Sequence, residues 1–124
     1  MSKVKVLVVD DEPGVLCLVA DALSLRGYEV HAVPSSGLAL DLVKTMPCFD
    51  LMVSDVIMPE MCGPELATEL GVLSPTTAIL MMSAHFDGRD LPGSPSFISK
   101  PFLLADLYSA VEKTLARKAA ATGA

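Results

Sequence analysis

The chain has 124 residues, 52% hydrophobic and 19% charged, with nine Lys and Arg against fifteen Asp and Glu for a formal net charge of −6. That length supports one domain burying roughly two-thirds of its unfolded surface, and the acidic balance excludes nucleic acid and anionic membrane, which need a positive field. Three cysteines (Cys17, Cys48, Cys62) without C-x-x-C spacing oppose a disulfide framework or a zinc site, and no apolar run reaches the ~20 residues of a membrane span, so a cytoplasmic protein is expected.

Residues 4–9 are β-branched and apolar, as in a strand buried on both faces, and they end abruptly in Asp10-Asp11-Glu12. Pro13 opens a helix to about Arg26, with Val15, Leu18, Val19 and Ala22 on one face and Gly27 as its stop. A second strand is expected over 28–33. Ser35 or Ser36 caps the next helix, whose stripe is Ala39, Leu42, Val43 and Met46. A third strand over 51–54 ends at Asp55, and Pro64 opens a short helix carrying Leu66, Ala67 and Leu70 and stopped by Gly71. A fourth strand over 78–82 ends at Ser83, and a short fifth over 96–98 precedes Ser99-Lys100-Pro101. The last helix spans 103–118 with Leu104, Leu107, Tyr108, Val111 and Leu115 on one face. Residues 1–118 form the domain and 119–124 a frayed tail.

Alternating strands and helices with apolar strands define an α/β fold with a parallel sheet. Five strands at this length predict a flavodoxin-like order 2-1-3-4-5 with helices on both faces, and a ligand crevice at the carboxyl ends of the strands. Asp10, Asp11, Asp55, Ser83 and Lys100 all fall at those ends. Singly, each is an ordinary turn or solvated residue. Together, three carboxylates repel unless a cation joins them or their pKa values rise. An all-oxygen set suits Mg²⁺; neither His31 nor His85 has the ligand spacing that zinc needs. A carboxylate, a metal, a hydroxyl and an ammonium are the parts for phosphoryl transfer to an Asp. Asp55, alone on the central strand, is the best nucleophile.

The motifs Val8-Val9-Asp10-Asp11-Glu12, Asp55-Val56-Ile57-Met58-Pro59-Glu60-Met61-Cys62-Gly63, Met81-Met82-Ser83-Ala84 and Lys100-Pro101-Phe102 resemble those of two-component response regulator receiver domains over nearly the whole chain. The resemblance implies Asp55 as phosphoacceptor. It implies Mg²⁺, with Mn²⁺ as a substitute, held by Asp11, Asp55 and the Ile57 backbone carbonyl, with Asp10 acting through metal-bound water. Ser83 becomes the switch hydroxyl beside the Ala84 amide, Lys100 the phosphate-binding cation, Phe97 the switch aromatic, and Lys100-Pro101 a cis peptide. Ile57 and His85 match the variable positions that tune phosphate lifetime. A histidine kinase or histidine phosphotransfer protein is the implied donor, and the domain is a phosphoacceptor that catalyses its own phosphorylation and dephosphorylation rather than an enzyme proper.

Lys100 follows Ser83 by only 17 positions, and the intervening stretch holds two Gly and two Pro without helical periodicity. A parallel crossover needs at least about 10–12 residues, so the family's fourth helix is expected to be absent or reduced to one turn. That puts the family's usual dimer in doubt and predicts a monomer or weak dimer. The shortening is similar to receivers of hybrid histidine kinases, implying phosphoryl relay toward an unidentified downstream protein. With one domain and nothing appended, an attached transcription domain is not expected. Among other classes, a haloacid-dehalogenase-type phosphatase would want a nucleophile and a second acid two apart after strand one plus a cap domain, and Asp10-Asp11-Glu12-Pro13 in 124 residues fits that poorly. A flavodoxin-like nucleotide binder is opposed by the acidic first loop, and a non-phosphorylated pseudo-receiver by the full set of site residues.

Overall fold

The first apolar run is paired along both of its edges. In the computed structural model, which describes residues 3–46, 49–84 and 96–122, β1 (Lys5–Val9) lies parallel to β2 (Glu29–Val33) on one side and to β3 (Leu51–Asp55) on the other. β4 (Ala78–Ser83) and β5 (Ser96–Ser99) extend the sheet, giving the parallel order β2-β1-β3-β4-β5 that the sequence predicts.

Two-residue alternation along the strands divides the core in two. Val6, Val8, Leu51, Val53, Leu80 and Met82 face one side, where α1 (Pro13–Leu25) and α4 (Leu104–Thr122) cover them through Val19, Leu23, Leu107 and Val111. Leu7, Val9, Met52 and Met81 face the other, under α2 (Ser36–Thr45) and α3 (Gly63–Leu73). The α1/α4 layer is clamped at its rim. The Arg26 guanidinium lies 4.4 Å from the Tyr108 ring centroid and 3.2 Å from Glu112 Oε1, and the Tyr108 hydroxyl donates to the Ala22 carbonyl at 3.2 Å.

Local chemistry explains the element ends, with three departures from expectation. Gly27 at φ 89° ends α1 in the left-handed region, where a side chain would be strained. Within α1, however, Leu18 is 49% exposed while Leu23 is fully buried. Each residue turns the helix by about 100°, so an arc centred on Val19 takes in Val15, Ala22 and Leu23 and leaves Leu18 outside. The third helix does not stop at Gly71 but runs to Leu73 and is capped at Ser74, whose amide donates to Leu70 at 2.6 Å. Gly71 does not adopt the positive φ that makes Gly27 a terminator, so it costs helix propensity without ending the helix. The last helix continues to Thr122 instead of ending near Lys118. Ala119, Ala120 and Ala121 are the best helix formers, and the next glycine is Gly123. The crossover where a shortened or missing helix is expected, 85–95, lies outside the described residues, as does His85.

Candidate functional site

The alternation that sorts the core also sorts the strand ends. Asp10, Asp55 and Lys100 each follow by two positions a residue on the α1/α4 side, namely Val8, Val53 and Ile98, so the three converge on one side of the sheet edge. Lys100 Nζ donates to Asp10 Oδ2 at 2.9 Å and lies 3.5 Å from Asp55 Oδ2. The other Asp10 oxygen accepts from the Glu12 amide at 2.9 Å. Asp10 is fully buried, Asp55 is buried, and Asp11 is exposed beside them. One carboxylate oxygen from each of Asp10, Asp11 and Asp55 lies within 4.8 Å of the others, a grouping that has the spacing to hold a metal ion. The donor set is all oxygen, which fits a hard divalent cation. Asp10 is engaged on both oxygens, and Asp11 is the exposed carboxylate of the group.

The frame behind these side chains is held by backbone hydrogen bonds. The Lys100 amide donates to the Ser83 carbonyl at 2.8 Å, and the Val56 amide to the Met82 carbonyl at 2.9 Å, tying the ends of β3, β4 and β5 together. Ser83 is buried at the end of β4 and Ala84 is exposed in the turn after it. The Lys100-Pro101 peptide is cis. Ile57 stands in the loop after β3 with its side chain 60% exposed. Phe97 is partly buried on β5 opposite Met81, packed against the α2/α3 core.

Burial pushes the Asp55 carboxyl above its ordinary value; Asp10 pushes the same way, and the Lys100 ammonium and the Ile57 amide only partly offset them. Burial alone would push Lys100 down, but the hydrogen bond and charge of Asp10, with Asp55 and Glu12 behind, outweigh it and hold the ammonium above its ordinary value. The three carboxylates thus tolerate one another through an internal cation and a raised pKa. A raised folded-state pKa means that Asp55 contributes stability while protonated, below the unfolded carboxylate range, and that this is lost as pH rises through the folded value. Metal-free Asp55→Asn is therefore expected to be more stable than the parent at pH 7 by about 0.5–2 kcal/mol, with the gain vanishing below about pH 4. Urea titrations of both proteins across that range check it; a less stable Asn variant at pH 7 would refute the electrostatic picture.

Two contributors escape sequence reasoning. A Cβ on Gly63 would overlap the Asp55 carbonyl oxygen and lie 2.8 Å from Met81 Sδ, so only glycine lets α3 start this close to β3. Ser36, next to the true cap Ser35, is buried and donates from Oγ to the Met61 carbonyl at 2.7 Å. The Ser35-Ser36 pair marks a cap, but only the fold shows which hydroxyl is left over.

Residues 6–112 match the family model for the response regulator receiver domain. The chain belongs to this family and is a receiver domain of two-component signal transduction. It is 36% identical over 119 residues to the sensor kinase CckA of Brucella abortus, covering 91% of this chain and 13% of that protein. It is 30% identical over 116 residues to the response regulator receiver protein CpdR of the same organism, covering 90% and 96%. The crystal structure of the chemotaxis protein CheY4 of Vibrio cholerae superposes with a TM-score of 0.84 at 28% identity, covering 91% of this chain and 99% of that one. The chain thus spans a small part of some relatives and nearly all of others. Receiver domains are phosphoacceptors, phosphorylated by histidine kinases or phosphotransfer proteins. No helix among the described residues is long and apolar enough to cross a membrane.

Proposed function

We propose that Asp55 is the phosphoacceptor of this domain, taking a phosphoryl group from a phosphohistidine protein in a relay. The observation that carries this is the Lys100 ammonium set between Asp10 at 2.9 Å and Asp55 at 3.5 Å, with Asp11 completing a group of metal-holding geometry. In the transfer, an Asp55 carboxylate oxygen attacks phosphorus and the P–N bond breaks with its electron pair on the imidazole. The acyl phosphate remains on Asp55. Asp11, Asp55 and the Ile57 carbonyl would hold Mg²⁺, or Mn²⁺ in its place, with Asp10 contributing through water. The bound cation supplies charge neutralisation for the phosphoryl oxygens.

Lys100 then exchanges part of its contact with Asp55 for a phosphoryl oxygen, and the Ser83 hydroxyl and Ala84 amide take the others. Phe97 follows Ser83 as the switch aromatic and alters the surface that a downstream protein reads. The domain acts as a cytoplasmic monomer or weak dimer that phosphorylates itself from small phosphodonors and slowly hydrolyses its acyl phosphate. The likeness to the sensor kinase CckA and to the receiver domain of a hybrid histidine kinase supports the relay reading. Nothing in the geometry favours a pseudo-receiver.

Incubation with a small phosphodonor and Mg²⁺ is expected to add one phosphoryl group by intact mass, and none in Asp55→Asn or with chelator. An adduct that persists in the Asn variant would sink the assignment.

A further inference from the structure

The loop between β3 and α3 carries the Ile57 carbonyl, and its two ends are fixed. The Val56 amide is bonded to Met82 at 2.9 Å, and the Gly63 amide closes back onto the Val56 carbonyl at 2.8 Å. Between them, the loop meets the start of α2. Ser35 caps α2 by accepting the Leu38 amide at 3.2 Å, which places Ser36 rigidly at the first helical position. Ser36 is 1% exposed, and its Oγ donates to the Met61 carbonyl at 2.7 Å and lies 3.9 Å from Met58 Sδ. A Cβ built on the adjoining Gly37 would lie 3.6 Å from Glu60 Oε2, so the loop passes close to the start of α2. One buried hydroxyl on a different element thus grips the loop from outside.

We infer that Ser36 is a positioning residue for the metal side of the site. It pins the 57–61 segment so that the Ile57 carbonyl stands ready beside Asp55 and Asp11 before any cation arrives. The inference rests on the functional reading above. Groups that orient metal ligands without touching the metal typically govern affinity by 10–100-fold.

The test compares the parent with Ser36→Ala and with Ser36→Cys, which keeps the volume but replaces the hydroxyl by a weak donor. Mg²⁺ affinity is read by calorimetric titration, and amide hydrogen exchange is read in metal-free protein. Both variants are expected to bind Mg²⁺ about tenfold more weakly and to exchange faster over 57–62, with protection in β1 and β3 unchanged. Parent-like affinity and loop exchange in a folded variant would overturn this inference alone. Exchange that rises uniformly with affinity retained would overturn it too, by showing a packing role only. A parent chain that binds no Mg²⁺ would overturn the functional reading and the inference with it.

Discussion

Replacing Lys100 with Met should cost about 3–5 kcal/mol of stability in metal-free protein at pH 7, because it strips the counter-charge from a fully buried carboxylate. Met keeps most of the aliphatic volume, so the loss reports charge rather than packing. Lys100 is held above its ordinary pKa, so its contribution is full below the unfolded lysine value and is lost only as pH rises through the raised folded value. The effect should therefore be flat across neutral pH. Adding Asp10→Asn should recover much of it, a coupling that a double-mutant cycle measures directly. A Lys100→Met protein within 1 kcal/mol of the parent in urea titration would show that Asp10 does not depend on this ammonium.

Gly63→Ala is the second large effect expected. Its new methyl would meet the Asp55 carbonyl oxygen, Met81 Sδ at 2.8 Å and Val56 Cα at 3.1 Å, and two of these three are backbone atoms that cannot swing aside. The cost should be about 1–3 kcal/mol, and the phosphorylation rate should fall because the backbone of Asp55, the proposed acceptor, must move. Gly71→Ala is the internal control. A Cβ there meets nothing within 4 Å, so the same substitution should stabilise by about 0.5–1 kcal/mol. Equal signs at the two positions by thermal denaturation would contradict the close-approach explanation.

The strand-end residues were legible because the period of a strand is short and its polar terminators are abrupt. The run through Val9 stops at Asp10, the run through Ser54 at Asp55, and the run through Met82 at Ser83. Sheet order followed from the alternation of elements. The helices were less legible at their margins. Leu18 and Leu23 are equally apolar in sequence, and tertiary packing centres the buried arc on Val19, which takes in Leu23 and leaves Leu18 out. Gly71 and Gly27 look alike in sequence, and only the backbone conformation separates a terminator from a tolerated glycine.

At the site, pattern and resemblance placed Asp10, Asp11, Asp55 and Lys100 in one crevice but not their pairing. The direct grip of Lys100 on Asp10, which occupies one oxygen of that carboxylate while Glu12 occupies the other, depends on side-chain reach across β1 and β5. The contacts of Ser36 and Gly63 were invisible for the same reason, since each is an encounter between segments distant in the chain.

The central claim, that Asp55 and no other acid takes the phosphoryl group, is tested most directly by trapping the acyl phosphate. Borohydride reduction of protein phosphorylated in Mg²⁺ converts the modified aspartate to homoserine, and peptide mass spectrometry then locates it. Homoserine at position 55, absent when the metal is chelated, is the result expected. Homoserine at position 10 or 11 instead, or phosphorylation that leaves position 55 unmodified, would contradict it.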